Sequence, residues 1–226
     1  MSEQQQDYWI GYYKKLTKTA GHYLDYSNER VQAQSFAAAI EATGAVFDAR
    51  CLDVGCGRGL LSCTLRALGA AHVVAIDVVP AMIESNRLQN PDIDWRLGDI
   101  TSIPDSERFD RVLLIEMLQY VPVAQTIKKA WRLIAPGGRL VAVVPNRECP
   151  IVQCTISKFN QFYSPPTPAE LMTMGTVLPE VAWWGIRGMN FQQDQTLCPY
   201  SLSEWTHTAS SWNHPPNRLQ FAACKR

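Results

Sequence analysis

The chain reads as an α/β fold: a doubly wound, mostly parallel seven-stranded sheet with an N-terminal helical lid. Three observations predict it. Short apolar runs rich in β-branched residues recur from residue 49 onward, separated by segments with helical apolar spacing. A glycine-rich turn, Gly55-Cys56-Gly57-Arg58-Gly59, joins the first such strand to the first such helix. Acidic residues stand at or just past four successive strand ends, at Asp53, Asp77, Asp99 and Glu116. Strands alternating with helices make βαβ units, whose crossovers cover both faces of a parallel sheet. Ligands of such sheets bind beyond the carboxyl ends of the strands, where these four carboxylates fall.

Residues 7–48 are a helical prelude, with Gln34, Phe36, Ala37, Ala38, Ala39 and Ile40 suited to a helix and Gly44 to its end. Ala49–Val54 is a buried strand, and Leu60–Leu68 a helix closed by Gly69. Val73–Ile76 is a strand ending in Asp77. Pro80–Leu88 is a helix with proline in its first turn. Ile93–Leu97 and Arg111–Ile115 are strands, Thr126–Ile134 a helix stopped by Pro136-Gly137-Gly138, and Arg139–Val144 the next strand. Beyond Pro145 the prolines at 150, 165, 166, 168 and 179 cut the chain into short pieces. Thr167-Pro168-Ala169-Glu170 is a capping-box pattern. Val181–Ile186 and Leu219–Ala223 supply the last two strands. The expected organisation is one domain over 1–226: a lid at 1–44, a cofactor-binding half at 45–146 and a substrate-side region at 147–226.

Composition narrows the function. Apolar residues make up 46% of the chain, enough for a sizeable core. The 21 basic and 21 acidic residues cancel. Phosphate contacts supply most nucleic-acid affinity and favour a basic excess, so no nucleic-acid partner is expected. The polar start Met1–Gln6 lacks the apolar stretch of a signal peptide, and no run is long enough to cross a bilayer. Seven cysteines, odd in number and without a Cys-x-x-Cys pair, suggest reduced thiols in a cytoplasmic protein and no metal centre. The expected partner is a small molecule, with the chain a monomer or homodimer.

The glycine turn suits a nucleotide-like ligand, because backbone N–H groups at a helix start approach polar or anionic groups closely. A dinucleotide fingerprint needs Gly-x-Gly-x-x-Gly, yet Leu60 or Ser62 stands where the third glycine belongs. Asp77, closing the second strand, is placed to accept the two hydroxyls of a ribose. Asp99 is placed to hold an adenine amino group.

These pieces together resemble the class I S-adenosylmethionine-dependent methyltransferases. The segments that carry the resemblance are Leu52-Asp53-Val54-Gly55-Cys56-Gly57-Arg58-Gly59, Ala75-Ile76-Asp77, Gly98-Asp99, Phe109-Asp110-Arg111-Val112 and Leu133–Leu140, all within 45–146. The resemblance implies S-adenosyl-L-methionine as cofactor. It implies a cofactor site of Asp53, Gly55, Cys56, Gly57, Gly59, Asp77, Val78, Met82, Gly98, Asp99, Ile100 and Glu116, with Arg30 and Tyr13 contributed by the lid. Ile115-Glu116-Met117-Leu118-Gln119-Tyr120-Val121-Pro122 is similar to the segment after the fourth strand in the ubiquinone-biosynthesis O-methyltransferases, which commonly read Glu-x-x-Glu-His-Val-Pro there. Gln119-Tyr120 replaces the Glu-His pair, so neither metal dependence nor that acceptor carries over.

Methyl transfer from a sulfonium needs alignment and exclusion of water, and a base where the nucleophile carries a proton. His207 and His214, among late tryptophans, and Glu116 and Tyr120, beside the expected methyl position, are the catalytic candidates; His22 on the prelude is a weaker one. Aromatic residues crowd both flanks: Tyr8, Trp9, Tyr12, Tyr13, Tyr23 and Tyr26 early, and Trp183, Trp184, Tyr200, Trp205 and Trp212 late. They suggest an aromatic-walled pocket for a flat or apolar acceptor bearing an O or N nucleophile. Two other classes stay open on sequence: a nicotinamide-dependent oxidoreductase and a non-catalytic cofactor-binding subunit.

Overall fold

The computed structural model describes residues 3–18, 29–157, 162–190, 201–208, 212 and 214–226, with the side chains of 13–18, 29–33, 155 and 201–202 excepted. The prelude is two helices, α1 (Glu3–Lys18) and α2 (Glu29–Thr43). The sheet framework follows as β1 (Arg50–Val54), α3 (Leu60–Ala67), β2 (His72–Asp77), α4 (Pro80–Gln89), β3 (Asp94–Leu97), β4 (Phe109–Ile115), α5 (Val123–Leu133) and β5 (Ile134–Pro145). The late region holds α6 (Pro150–Ile156), α7 (Pro168–Val177), β6 (Val181–Asn190), β7 (Ser201–Leu202) and β8 (Arg218–Lys225).

All seven expected strands are present, and the two-residue β7 adds an eighth at one edge. The order is β3-β2-β1-β4-β5-β8-β6-β7. The first five strands pair in parallel. β8 wedges antiparallel between β5 and β6. That inversion carries the start of β8 to the same end of the sheet as the carboxyl ends of the parallel strands.

Alternation along each strand makes the sheet two-sided. Leu52, Val74, Ile76, Leu114, Leu140 and Val144 point into one core with Ile127 and Trp131 of α5 and Phe221 of β8. Cys51, Val73, Ala75, Leu113, Val141 and Val143 point into the other, with Leu61 and Leu65 of α3, Ile83 of α4 and Ala38 and Ala42 of α2. The central strands β1, β2, β4 and β5 carry apolar residues on both faces because both faces are covered, while the edge strand β3 is only partly buried. α2 is tied to the late strands: Gln220 Nε2 donates to Ala38 O at 2.8 Å, and Arg187 pairs with Glu41.

Two boundaries differ from expectation. α5 starts at Val123, just after Pro122, and ends at Leu133. Pro136-Gly137-Gly138 lies inside β5 instead of closing a helix. A register shift between Phe109 and Arg111 absorbs these residues. Gly138 fits because a Cβ there would stand 2.8 Å from Ala135 O and 2.9 Å from Asp110 O. The capping box forms: Thr167 Oγ1 accepts from Glu170 N, and Glu170 Oε2 accepts from Thr167 N at 2.7 Å.

Candidate cofactor and acceptor cleft

β1 delivers the chain into its glycine turn at the carboxyl edge of the sheet. Gly55 N and Cys56 N both donate to Ile76 O of β2, at 2.8 and 3.1 Å. Gly57 N donates to Asp77 Oδ2 and Val79 N to Asp77 Oδ1, each at 2.9 Å. Asn86 of α4 completes the clamp, its Nδ2 donating to Gly57 O at 2.8 Å. Backbone donors on two sides therefore fix the Asp77 carboxylate. Burial pushes its carboxyl up from the ordinary range, against the pull of those N–H groups.

Beneath the turn, Asp53 is buried and accepts from Ser62 Oγ of α3 at 2.6 Å. Burial first, and the Asp77 charge after it, push its carboxyl up to about 6, while the Ser62 bond holds it back. Asp99 Oδ1 accepts from Thr101 N at 2.9 Å and so caps the 3₁₀ turn Ile100–Ser102.

The cleft continues past the end of β4. Glu116 has φ 53°, a left-handed conformation uncommon for a residue with a side chain. Two bonds hold that backbone: Glu116 N donates to Val143 O at 2.7 Å, and Gln119 Nε2 donates to Glu116 O at 2.8 Å. The Glu116 side chain is buried. Its Oε1 accepts from Arg218 Nε at 2.7 Å, while Oε2 has no hydrogen-bond partner among the described residues. Burial raises its carboxyl, and the Arg218 charge opposes that rise.

Rings close this end. Trp9 and Tyr12 come from α1, Tyr120 from the turn after β4, and Tyr163 from the connection before α7. Trp9 meets Tyr120 edge-on at 4.4 Å, and Tyr120 meets Tyr163 at 5.6 Å. Gln5 Nε2 of α1 donates to Tyr120 O at 2.7 Å, so the lid helix is fastened to the cleft wall itself.

One cavity of about 310 Å³ joins the two ends. Asp53, Gly55, Cys56, Gly57, Asp77, Val78, Met82, Gly98, Asp99, Ile100, Glu116 and Tyr120 all line it, as the sequence placed them. Gly59 does not. It caps α3 at φ 75°, and a Cβ there would stand 2.4 Å from Trp95 Cη2, so its glycine serves helix–sheet packing. His207 and His214 do not line the cavity either. Both are exposed and outside the cavity; His207 packs edge-on against Trp184 at 4.6 Å, beside α7. The late tryptophans stand with them, away from the cleft, because β6 sits beyond β8 in the sheet. The side chains of Tyr13 and Arg30, and residues His22, Tyr23, Tyr26 and Tyr200, lie outside the described residues.

Arg218, Gln119, Tyr163 and Asn86 are the cleft and clamp residues that sequence reasoning missed. Arg218 opens an antiparallel strand, whereas the residues legible in the sequence follow the ends of parallel strands. No group of three or more His, Cys, Asp or Glu able to hold a metal occurs among the described residues.

The sheet order, the β1–α3 turn and the carboxylates at the strand ends coincide with a known family. A methyltransferase domain family matches residues 52–142. Those residues resemble a methyltransferase domain. The ubiquinone biosynthesis O-methyltransferase of Xylella fastidiosa (strain M23) is 38% identical over 131 residues, which are 55% of this chain and 48% of that protein. The chain thus spans about half the length of the curated relatives it matches. Two solved structures share the fold of this chain. Magnesium protoporphyrin IX methyltransferase from Synechocystis, with bound S-adenosylhomocysteine, superposes with TM-score 0.68 at 15% identity, covering 98% of each chain. A possible histamine N-methyltransferase from Thermotoga maritima gives 0.67 at 15% identity, over 88% of this chain and 90% of that one.

Proposed function

We propose that the chain is an S-adenosylmethionine-dependent methyltransferase acting on an oxygen or nitrogen of a small-molecule acceptor. The observation that carries this is Asp77, whose two oxygens are oriented by the glycine turn and by α4 toward a cavity that Gly57 leaves open. A Cβ on Gly57 would meet nothing within 4 Å. The residues present fit the cofactor: a fixed carboxylate for a ribose diol, Val78, Met82 and Ile100 as an apolar slot for a flat base, and Asp99 at its edge. When bound, S-adenosylmethionine supplies a methyl group already activated on a sulfonium.

This chain's own residues then have three tasks. Asp77 and the backbone of Gly55–Gly57 bind and orient. Trp9, Tyr12, Tyr120 and Tyr163 exclude water and offer flat walls to an acceptor. Glu116 accepts the proton that a hydroxyl or ammonium acceptor must lose, because its carboxyl lines the cleft and burial makes it more basic than an exposed glutamate. Tyr120 packs the acceptor side, and Arg30 and Tyr13 of the lid are assigned to the cofactor's methionyl end on the sequence resemblance alone.

The domain organisation follows this division, with a lid at 1–44, a cofactor half at 45–146 and an acceptor side at 147–226. Small-molecule chemistry, a monomer or homodimer, no nucleic-acid partner and a cytoplasmic setting accompany the proposal. No helix among the described residues is long and apolar enough to cross a membrane.

Calorimetry with S-adenosylhomocysteine and with NAD, followed by transfer of labelled methyl to a panel of phenols, catechols and arylalkylamines, tests the proposal. Binding of S-adenosylhomocysteine but not NAD, with at least one acceptor labelled and labelling lost in Glu116→Gln, is the expected result. Binding of NAD alone would replace methyl transfer with hydride transfer, and cofactor binding with no acceptor labelled would favour a non-catalytic subunit.

A further inference from the structure

We propose that Arg218 is the positioning residue of the acceptor site: it holds Glu116 by Oε1 and so assigns Oε2 as the atom that receives the acceptor's proton. The inference rests on the methyltransferase reading only for the identity of the acceptor.

The geometry is built, not incidental. Arg218 Nε donates to Glu116 Oε1 at 2.7 Å, with the two side chains 20% and 4% exposed. Arg218 lies opposite Pro145 of β5 and Met189 of β6, so it is flanked by paired strands on both sides. The approach to it is clamped as well. Asn146, fully buried, donates from Nδ2 to Pro216 O at 2.9 Å and from its backbone to Asn217 O at 3.2 Å. Asn217 N donates to Asn190 Oδ1 at 3.2 Å. Three contacts thus fix the backbone that presents one guanidinium to one carboxylate.

Glu116 is fixed from the other side by its φ of 53° and by Gln119. A buried carboxylate oxygen with no donor is costly unless something supplies one. Oε1 has its donor; Oε2 does not. An acceptor O–H or N–H fills that gap. As the acceptor gains its methyl group, its X–H bond breaks, the proton bonds to Oε2, and the carboxylate becomes a neutral acid. Arg218 is always charged and cannot take that proton. Its role is to keep Glu116 ionised beforehand, against burial. The charged and titratable groups that share the cleft with Glu116 are Arg218 on β8, Tyr120 after β4, Tyr163 before α7, Tyr12 on α1, Cys56 and Arg58 in the glycine turn, Asp53 and Asp77 at the ends of β1 and β2, Asp99 after β3, and Lys129 on α5, which is held by Ile103 O and Asp105. Only Arg218 among them is a cation bonded to it in the described residues.

The test titrates the Glu116 side-chain carboxyl by carbon-13 NMR in the full chain, with the resonance assigned by its loss in Glu116→Gln. Arg218→Met should raise the midpoint by roughly 1–3 pH units, the size expected for loss of an opposite charge at this range. Arg218→Lys should recover a large part of that shift. A midpoint unchanged in Arg218→Met overturns the proposal. If that variant does not fold, the same comparison uses Arg218→Lys, and a wild-type midpoint combined with wild-type loss of labelling below it counts for the proposal. A wild-type midpoint with the acid limb of labelling displaced counts against it. Calorimetry with S-adenosylhomocysteine on the same samples separates the two readings: failure to bind defeats the methyltransferase assignment and leaves the Arg218–Glu116 titration standing.

Discussion

Replacing Asp77 with asparagine isolates the interaction on which the cofactor assignment rests. The change keeps the shape and removes the charge. In the wild type, Gly57 N and Val79 N each reach one carboxylate oxygen at 2.9 Å. Asparagine has one oxygen, so its NH₂ must confront one of those donors, leaving that N–H unsatisfied at about 1–3 kcal/mol. Against this, the wild-type carboxyl is raised by burial, so removing its charge returns some folding stability. The two effects oppose each other, and the unfolding free energy should move by less than about 1.5 kcal/mol. Binding has no such offset. A ribose diol donating to a carboxylate makes charge-assisted bonds worth about 1.5–3 kcal/mol each, and the variant keeps at most one neutral acceptor. The expected loss is ~3 kcal/mol, roughly a hundredfold in affinity for S-adenosylhomocysteine. Calorimetry with parallel urea denaturation reads both quantities. An affinity within threefold of wild type would refute the ribose assignment, and a collapse in stability would show the carboxylate to be structural.

Gly59→Ala places a Cβ 2.4 Å from Trp95 at a backbone angle suited to glycine, so it should cost ~2–4 kcal/mol in denaturation, and a loss under 1 kcal/mol would argue against the packing role. Asp53 has a folded-state carboxyl at about 6, above its ordinary value near 4, so its contribution to stability is full below about pH 4 and is lost as pH rises through 6. Asp53→Asn should therefore gain up to ~2–3 kcal/mol on wild type between pH 4 and pH 7, and parallel pH dependence in the two proteins would contradict the burial argument. His207→Ala and His214→Ala should leave methyl labelling at wild-type rates, since both side chains lie outside the cleft; a tenfold drop in either would return histidine to the mechanism.

The cofactor end was legible because its determinants are local. Asp77 and the glycine turn each follow a strand whose apolar run is unmistakable, Asp99 follows the short edge strand β3, and a parallel sheet sends every such end to the same edge. Gly59 was legible as a glycine but not in its purpose, since Trp95 is 36 positions away and only the fold packs them together. The acceptor end depends on distant pairings. Arg218 reaches Glu116 across 102 positions, through a strand running against its neighbours. The same insertion puts two strands' width between β5 and the tryptophans of β6, which is why crowding of Trp and His late in the sequence did not mark the site. Trp9 and Tyr12 were identifiable as lid aromatics, whereas Tyr163 sits in a proline-bounded connection with no periodicity to place it.

The wedge position of β8 also bears on how the molecule is assembled. β6 is made before β8 yet has no place in the sheet until β8 arrives, because it pairs with β8 and not with β5. During that interval β5 and β6 both present unpaired edges, apolar on both faces in β5, which are the features that invite association between chains. Closure of this seam joins contacts far apart in sequence and should be among the slower steps of folding. A cut between residues 190 and 218 would leave the nucleotide-like half of the sheet intact while releasing the strand that completes the acceptor end.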